Sequence, residues 1–455
     1  MREKMTIEAP WSVWATADQQ EVDLLAVSLL DHPDVAAARS RALEAFRGSS
    51  EFGVADAPAG IDAAVDNLLF SCLQYAANDN PADPKIVWTV RLPYEVRDRT
   101  IPDSRYGADS PDRVYRVSGV GPEHRYEITG RRHPTHPSLD DLSLEALPDP
   151  GLYGRPMVAL QREQIDIDPD GRFTITADSS PANGRRNHLE LPVGTRSLVI
   201  RDTLLDWRRQ IPNEVSIRCI DGPELPERSF DEIAAGGVKT FEQCVTMTLA
   251  FLQNSLRAVP ANALFAFQRP VQWGKAGGLF GVSRFELGDD EALCLTLDQV
   301  NAGYVTIVAC DPWSTSIAYD CRVSCLNNVQ AQANDDGTFT FVVSPADPGV
   351  FNWLDTAGLR TGAIAVRWEL FDEPPAAVPS SDVASDGQWA PGVNVVPAAV
   401  RDVSVMKVHE VAERVPSGQA AVGPEERARL VDRRRAEYQV RVTGQPITTA
   451  DQEND

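Results

Sequence analysis

The strongest constraint on the fold of this chain is an internal repeat of a short β pattern. Three segments recur in the same order at a nearly constant offset: Asp170–Ile175 with Asp336–Phe341, Asn187–Leu189 with Asn352–Leu354, and Leu198–Arg201 with Ile364–Arg367. Each copy contains a turn, a strand, a loop that ends in Asn, and a strand that carries one Arg. Ordered matches of this kind indicate a duplicated structural unit, so the repeat predicts two similar β domains.

Hydrophobic periodicity predicts helices outside the two β domains. One helical region covers about 17–47 and is divided at Pro33, and a second covers 61–77. A third begins after Ser229, which forms a capping box with Glu232, and joins the two β domains. The predicted fold class is therefore mainly β with helical additions (α+β), built on two antiparallel β-sandwich domains. The expected units are an N-terminal helical region (1–98), a first sandwich (99–226), a connecting helix (227–262), a second sandwich (263–372), and a Pro-rich linker with a C-terminal helix (373–455).

The last of these units has two parts. Five prolines between residues 373 and 402 predict an extended linker. The helix that begins at Pro424 has glutamates in its first turn and arginines later, as the helix dipole favours. We expect this helix to dock on an acidic face of the chain or to form a homo-oligomer contact. Because its apolar stripe is thin (Leu430, Val431 and Tyr438), the attachment is expected to depend on charge and to weaken in salt.

The amino-acid composition and the net charge exclude several classes of protein. The chain has 455 residues of which 43% are hydrophobic, which excludes global disorder. Its formal charge of −23 argues against nucleic acid and against an anionic membrane surface as partners. No apolar segment approaches the roughly 18 residues of a membrane helix, and no apolar run follows the charged N-terminus as a signal peptide requires. Seven scattered cysteines, an odd number, indicate reduced thiols in a cytoplasmic protein.

Common catalytic and cofactor motifs do not occur in the sequence. It lacks a phosphate-binding loop, a dinucleotide-binding glycine pattern, a nucleophile elbow and the H-E-x-x-H zinc motif. His133 and His136 could supply two imidazoles, but no carboxylate or Cys lies at ligand spacing on a regular element. We therefore expect no cofactor and no metal.

A dense set of polar and aromatic residues in the second half of the chain forms the candidate site. In the strand predicted at 363–370, alternate residues from Ile364 to Leu370 form the core face, so Arg367 and Glu369 point the other way. If that opposite face lines a concave surface, Arg367 near Asp355 could hold a polar ligand through its fork of donors. In the alternative interpretation, Arg367 has a structural role and clamps Asp355 or the backbone.

Part of this region resembles a known family. The segments Ser324–Ala331 and Asp347–Gly358, followed by Gly362 and Arg367-Trp368, resemble the C-terminal signature of the domain of unknown function 1214 family. Weaker similarity extends back to about residue 100. The resemblance implies sandwiches of the jelly-roll type, similar in architecture to peptide N-glycosidase F, and hence a link to glycans. The acidic residues used by that enzyme have no identifiable counterparts here, so its chemistry does not carry over.

Three functions are consistent with these observations. The first is a cytoplasmic hydrolase or lyase that acts on a carbohydrate or a similar polyhydroxylated metabolite, with Asp355 and Glu369 as the catalytic acids. The residues expected to bind this small-molecule or glycan ligand are Trp313, Tyr319, Arg322, Asn327, Asn352, Trp353 and Arg367. The second function is a non-catalytic binding module that uses the same surface. The third is a scaffold that binds a partner protein through the basic C-terminal helix.

Overall fold

The computed structural model describes residues 12–14, 16–96, 98–149, 156–257, 260–268, 278–379, 394–416 and 419–445. The α-helices within these residues are α1 (Ala17–Leu29), α2 (Pro33–Arg47), α3 (Ala57–Ala77), α4 (Phe230–Phe251), α5 (Val411–Arg414) and α6 (Pro424–Thr443). A π-helical turn at Leu252–Leu256 extends α4.

Local sequence explains where several helices begin and how they pack. Pro33 occupies the first turn of α2, where its missing N–H leaves no hydrogen bond unmade. Ser229 and Glu232 form the capping box that begins α4. Inside α4, a Cβ on Gly237 would lie 2.8 Å from the Leu73 side chain of α3. The glycine therefore permits the close packing of α3 on α4.

The first half of the chain contains a β-sandwich. Its strands, in chain order, are β1 (Val87–Thr89), β2 (Tyr94–Val96), β3 (Arg99–Ile101), β4 (Arg113–Gly119), β5 (Arg125–Arg131), β6 (Ser143–Leu147), β7 (Val158–Leu160), β8 (Arg172–Asp178), β9 (His188–Glu190), β10 (Ser197–Thr203) and β11 (Glu214–Asp221). One sheet has the order β1-β4-β10-β6-β7 and the other has the order β11-β5-β8-β9, while β2 and β3 form a separate hairpin.

The second half contains a second sandwich. Its strands are β12 (Phe265–Gln268), β13 (Leu279–Glu286), β14 (Glu291–Leu297), β15 (Tyr304–Cys310), β16 (Cys325–Asn327), β17 (Phe339–Ser344), β18 (Trp353–Asp355), β19 (Thr361–Glu369), β20 (Val378–Pro379), β21 (Asn394–Val395) and β22 (Val400–Lys407). One sheet has the order β16-β15-β19-β13-β12-β21-β20, and the other has the order β18-β17-β14-β22.

The two sandwiches share one strand arrangement. The order β1-β4-β10-β6-β7 corresponds to β12-β13-β19-β15-β16, and β11-β5-β8-β9 corresponds to β22-β14-β17-β18. In each copy the first repeat strand pairs in parallel with a short strand, β8 with β9 and β17 with β18. The last repeat strand, β10 or β19, lies in the opposite sheet. The repeat in the sequence thus marks equivalent strands in two copies of one unit.

The residues that recur in the repeat have matching local roles. Gly171 and Gly337 both have positive φ, +80° and +82°, which favours glycine at this turn. Asn187 donates a hydrogen bond from Nδ2 to a carbonyl of β8 at 2.9 Å, and Asn352 donates one to a carbonyl of β17 at 3.1 Å. These bonds fix the loop that leads into β9 or β18.

Each sandwich has an apolar core between its two sheets. A further core joins α1–α4 and α6 to the outer faces of the sheets that contain β4 and β19. For this reason β4, β15 and β19 are buried at every position. By contrast, β11 shows alternating exposure, as expected for a strand with one face towards solvent. The prediction of a mainly β chain with helical additions is confirmed.

The chain beyond residue 372 contributes to the second sandwich. Strand β22 pairs with β14 along most of its length, so this sandwich extends past the boundary expected at residue 372. Residues 380–393 of the predicted linker lie outside the described residues, as do residues 1–11, where a signal peptide was not expected.

Helix α6 docks on its own chain through three arginines. Arg427, Arg434 and Arg441 recur every seven residues and are buried, at 8%, 4% and 1% exposure. Their guanidinium groups lie over tryptophan rings at centroid distances of 4.8, 4.4 and 5.4 Å; the rings are those of Trp353, Trp207 and Trp88. Of the three, only Arg427 has an ion pair among the described residues, with Asp347. The contacts on this face thus differ from the charge-dependent attachment expected from the sequence.

Candidate functional site

The two acids expected to be catalytic lie in different surroundings. Glu369 has no exposed surface and forms an ion pair with Arg113, so β19 of the second sandwich is joined to β4 of the first. Asp355 lies at the end of β18, where it accepts hydrogen bonds from Arg322 at 2.6 Å and from the backbone N–H of Ala357 at 2.7 Å. The structure therefore does not bring Asp355 and Glu369 together as a carboxylate pair facing a cleft.

Arg367 also lies between the sandwiches. It is buried, donates a hydrogen bond to the carbonyl of Ala108, and lies 5.2 Å over the Phe280 ring. Its counterpart in the first copy, Arg201, lies 5.9 Å over Tyr115. Because both copies place the arginine over the paired residue of the neighbouring strand, this geometry matches the structural alternative considered for Arg367.

Asn327 belongs to a buried network centred on Asp112. The Asp112 carboxylate accepts hydrogen bonds from Asn327 Nδ2 at 2.9 Å, Trp207 Nε1 at 2.8 Å and the Tyr304 hydroxyl at 3.0 Å. Asn327 donates a second bond to the Leu205 carbonyl at 3.0 Å. The network connects both sandwiches and orders the segment that follows β16.

The aromatic candidates are packed within the protein. Trp313 donates to the carbonyl of Ala57 at 2.8 Å and packs against Phe46 of α2. Tyr319 lies between Trp207 and Tyr438 at centroid distances of 6.1 and 5.6 Å. Trp353 donates to the Ser344 carbonyl and Asn352 binds backbone groups around β17.

A cleft with a volume of about 240 Å³ opens where both sandwiches meet α6. Its apolar lining residues are Trp207, Val323, Leu326, Val329, Phe351 and Leu430. Its polar lining residues are Asp206, Arg208, Gln330, Arg433, Arg434 and Glu437. None of the nine candidate site residues lines this cleft, although Val323 and Phe351 are the chain neighbours of Arg322 and Asn352. An apolar surface with a few convergent polar groups is typical of small-molecule sites.

The charges around the cleft change the acidity of Glu437. Burial raises the pKa of this carboxyl above its usual range, and the negative charge of Asp206 raises it further. Arg434, Arg208 and Arg433 act in the opposite direction and do not cancel the effect of burial. Glu437 thus keeps its proton to a higher pH than an ordinary glutamate does.

Within the described parts of the chain, no group of three His, Cys, Asp or Glu side chains is arranged to hold a metal ion. The seven cysteines are free thiols, five of them buried. No helix in the described residues is both long and apolar enough to cross a membrane. The cytoplasmic location inferred from the sequence stays a prediction.

Comparison with known proteins identifies the fold and no family. No protein-family model and no curated protein matches the sequence. The crystal structure of an uncharacterized protein from Burkholderia cenocepacia superposes with a TM-score of 0.65 at 23% identity, covering 84% of this chain and 99% of that one. A protein from Vibrio parahaemolyticus matches with a TM-score of 0.37 at 11% identity, covering 73% of this chain and 100% of that one. The first likeness shows a shared fold.

Proposed function

We propose that this protein binds a small polyhydroxylated compound, such as a carbohydrate, in the cleft between the two sandwiches and α6. The observation that carries the proposal is the composition of that cleft. Phe351 and the aliphatic side chains supply apolar surface, and Gln330 with the charged side chains supplies hydrogen-bonding groups. Aromatic rings can cover the apolar face of a sugar while polar groups bind its hydroxyls. The volume suits a ligand below drug size.

Binding can be tested with a substitution that blocks the cleft. Val329 lines the cleft and is 58% exposed, so Val329→Arg should fill the opening at little cost to folding. Neutral and acidic monosaccharides at about 100 times Kd are expected to stabilise the wild type by about 2.7 kcal/mol, seen as a rise in Tm. We expect Val329→Arg to abolish that rise. Val193→Arg, at a position 89% exposed outside the cleft, is the matched control and should keep it. Absence of any sugar-dependent rise in the wild type would refute the proposal.

A second candidate function, hydrolysis of a glycosidic bond, is favoured by the position of Glu437. A general acid has to hold a proton at the working pH, and burial shifts the pKa of Glu437 upwards, in the direction that this role requires. Asp206 lines the same cleft and is the second carboxylate that acid–base hydrolysis requires. Glu437 would protonate the leaving-group oxygen, and Asp206 would activate a water or attack the sugar.

Hydrolysis can be measured with a panel of chromogenic aryl glycosides and aryl uronides. We expect Glu437→Gln to lower kcat by about 10²- to 10⁴-fold, because the amide has no proton to transfer. The wild-type rate should fall as pH rises through the raised pKa of Glu437, since the acid then loses its proton. Glu425→Gln, on the exposed first turn of α6, is the matched control. Normal sugar binding without turnover of any glycoside would assign the chain to the binding proteins.

A further inference from the structure

Arg434 carries a donor that no described residue uses. Its Nη2 donates to the Cys325 carbonyl at 2.5 Å, and its guanidinium plane lies 4.4 Å from the Trp207 ring centroid. The Nη1 group is also buried but finds no acceptor among the described residues. Arg434 is only 4% exposed and lines the cleft. A buried N–H without an acceptor is unfavourable, so an oxygen atom of a ligand would be held firmly here.

Gln330, on the same cleft, has a second donor of this kind. Its Oε1 accepts a hydrogen bond from the backbone N–H of Asn327 at 3.3 Å, which fixes the orientation of the amide. Its Nε2 is buried, and no acceptor for it exists in the described part of the chain. Asn327 is itself held by Asp112 and by the Leu205 carbonyl. The amide of Gln330 is therefore supported by a buried network that spans both sandwiches.

The charges that face the cleft favour an anion. Three arginines (Arg208, Arg433 and Arg434) oppose two carboxylates (Asp206 and Glu437). Burial raises the pKa of Glu437, so its repulsion of an anionic ligand sets in at a higher pH than for an ordinary glutamate. A protonated Glu437 could also donate a hydrogen bond to that ligand.

We propose that the ligand of this cleft carries a carboxylate, held by Arg434 Nη1 and Gln330 Nε2. The ligand class is then a sugar acid, such as a uronic acid. The carboxylate accepts hydrogen bonds from the two unused donors, and the sugar ring lies against the apolar side chains of the cleft. Hydrogen bonds to an ionised acceptor are stronger than bonds to a neutral hydroxyl, so the carboxylate would dominate specificity. This inference rests on the proposed function of the cleft.

Isothermal titration with matched sugar pairs tests the inference: glucuronate with glucose, and galacturonate with galactose. We expect the full-length protein to bind each uronate about ten- to a hundred-fold more tightly than its neutral partner. Gln330→Glu keeps the oxygen that accepts from Asn327 but replaces the donor with a carboxylate oxygen. It should weaken uronate binding by about tenfold or more and reduce the preference for each uronate over its neutral partner. Gln439→Glu, on the exposed side of α6, adds the same charge outside the cleft and should change neither.

The possible results separate the two proposals. Equal affinities for uronate and neutral sugar, or a Gln330→Glu variant that binds uronates normally, would overturn the carboxylate and leave the binding function in place. Failure of every sugar to bind the wild type would overturn the proposed function and the carboxylate with it.

Discussion

Replacing Glu369 with alanine is expected to lower the free energy of unfolding by about 3–5 kcal/mol. The substitution leaves Arg113, only 5% exposed, as an unpaired charge between the two sandwiches. An uncompensated buried charge is far costlier than the loss of an ion pair in water. Urea denaturation followed by tryptophan fluorescence measures the effect.

Two further variants test whether the loss of stability comes from the unpaired Arg113 or whether the second sandwich is sensitive to any loss of charge. Replacing Arg113 and Glu369 together with leucine removes both charges and should be less destabilising than Glu369→Ala alone. Glu286→Ala breaks a partly exposed pair with Arg284 on the same sandwich and should cost about 1 kcal/mol or less. If Glu369→Ala retained wild-type stability, the ion pair would not hold the two sandwiches together. A catalytic role of Glu369 would then be favoured over a structural one.

The duplicated architecture could be predicted from the sequence because its signals are local. A glycine at a positive-φ turn, an asparagine that fixes a loop, and a short alternating strand each depend on a few neighbouring residues. Gly171 and Gly337 preserve this pattern in both copies. The orientation of Arg367 and Glu369 away from the sandwich core also followed from strand alternation. The sequence could not show that the first sandwich covers the face of β19 that carries Arg367 and Glu369. This contact depends on how two units that are distant in sequence pack against each other.

The cleft was inaccessible to sequence analysis for the same reason. Trp207, Gln330 and Glu437 come from three separate parts of the chain, and α6 brings the third to the other two. The sequence of α6 indicates an exposed basic helix because arginine is rarely buried. Its arginines are buried here since tryptophans from both sandwiches cover their guanidinium groups. The spacing of seven residues between Arg427, Arg434 and Arg441 was the sequence signal that these arginines share one buried face of α6.

Removing α6 is expected to have the largest effect on both stability and binding. A chain that ends at Gly423 loses the three arginine–tryptophan contacts and the buried side chains of Leu430, Tyr438 and Val442. Desolvated cation–π contacts contribute about 2 kcal/mol each, and each buried apolar side chain contributes about 1.5–3 kcal/mol. We expect unfolding at a much lower urea concentration, with a loss of about 5 kcal/mol or more, and no sugar-dependent rise in Tm. Denaturation and near-ultraviolet circular dichroism of the exposed tryptophans report the change.

The matched control for this truncation ends the chain at Gln445, which keeps the whole of α6 and should unfold like the full-length protein. Salt provides a second test. Two of the three buried arginines bind carbonyls and aromatic rings rather than exposed carboxylates, so screening should act weakly on them. The stability difference between the two truncated chains is therefore expected to be nearly the same in 0.1 M and 1 M sodium chloride (about 10 and 3 Å Debye length). A difference that disappeared in high salt would mean that surface charge holds α6 in place, as the sequence suggested.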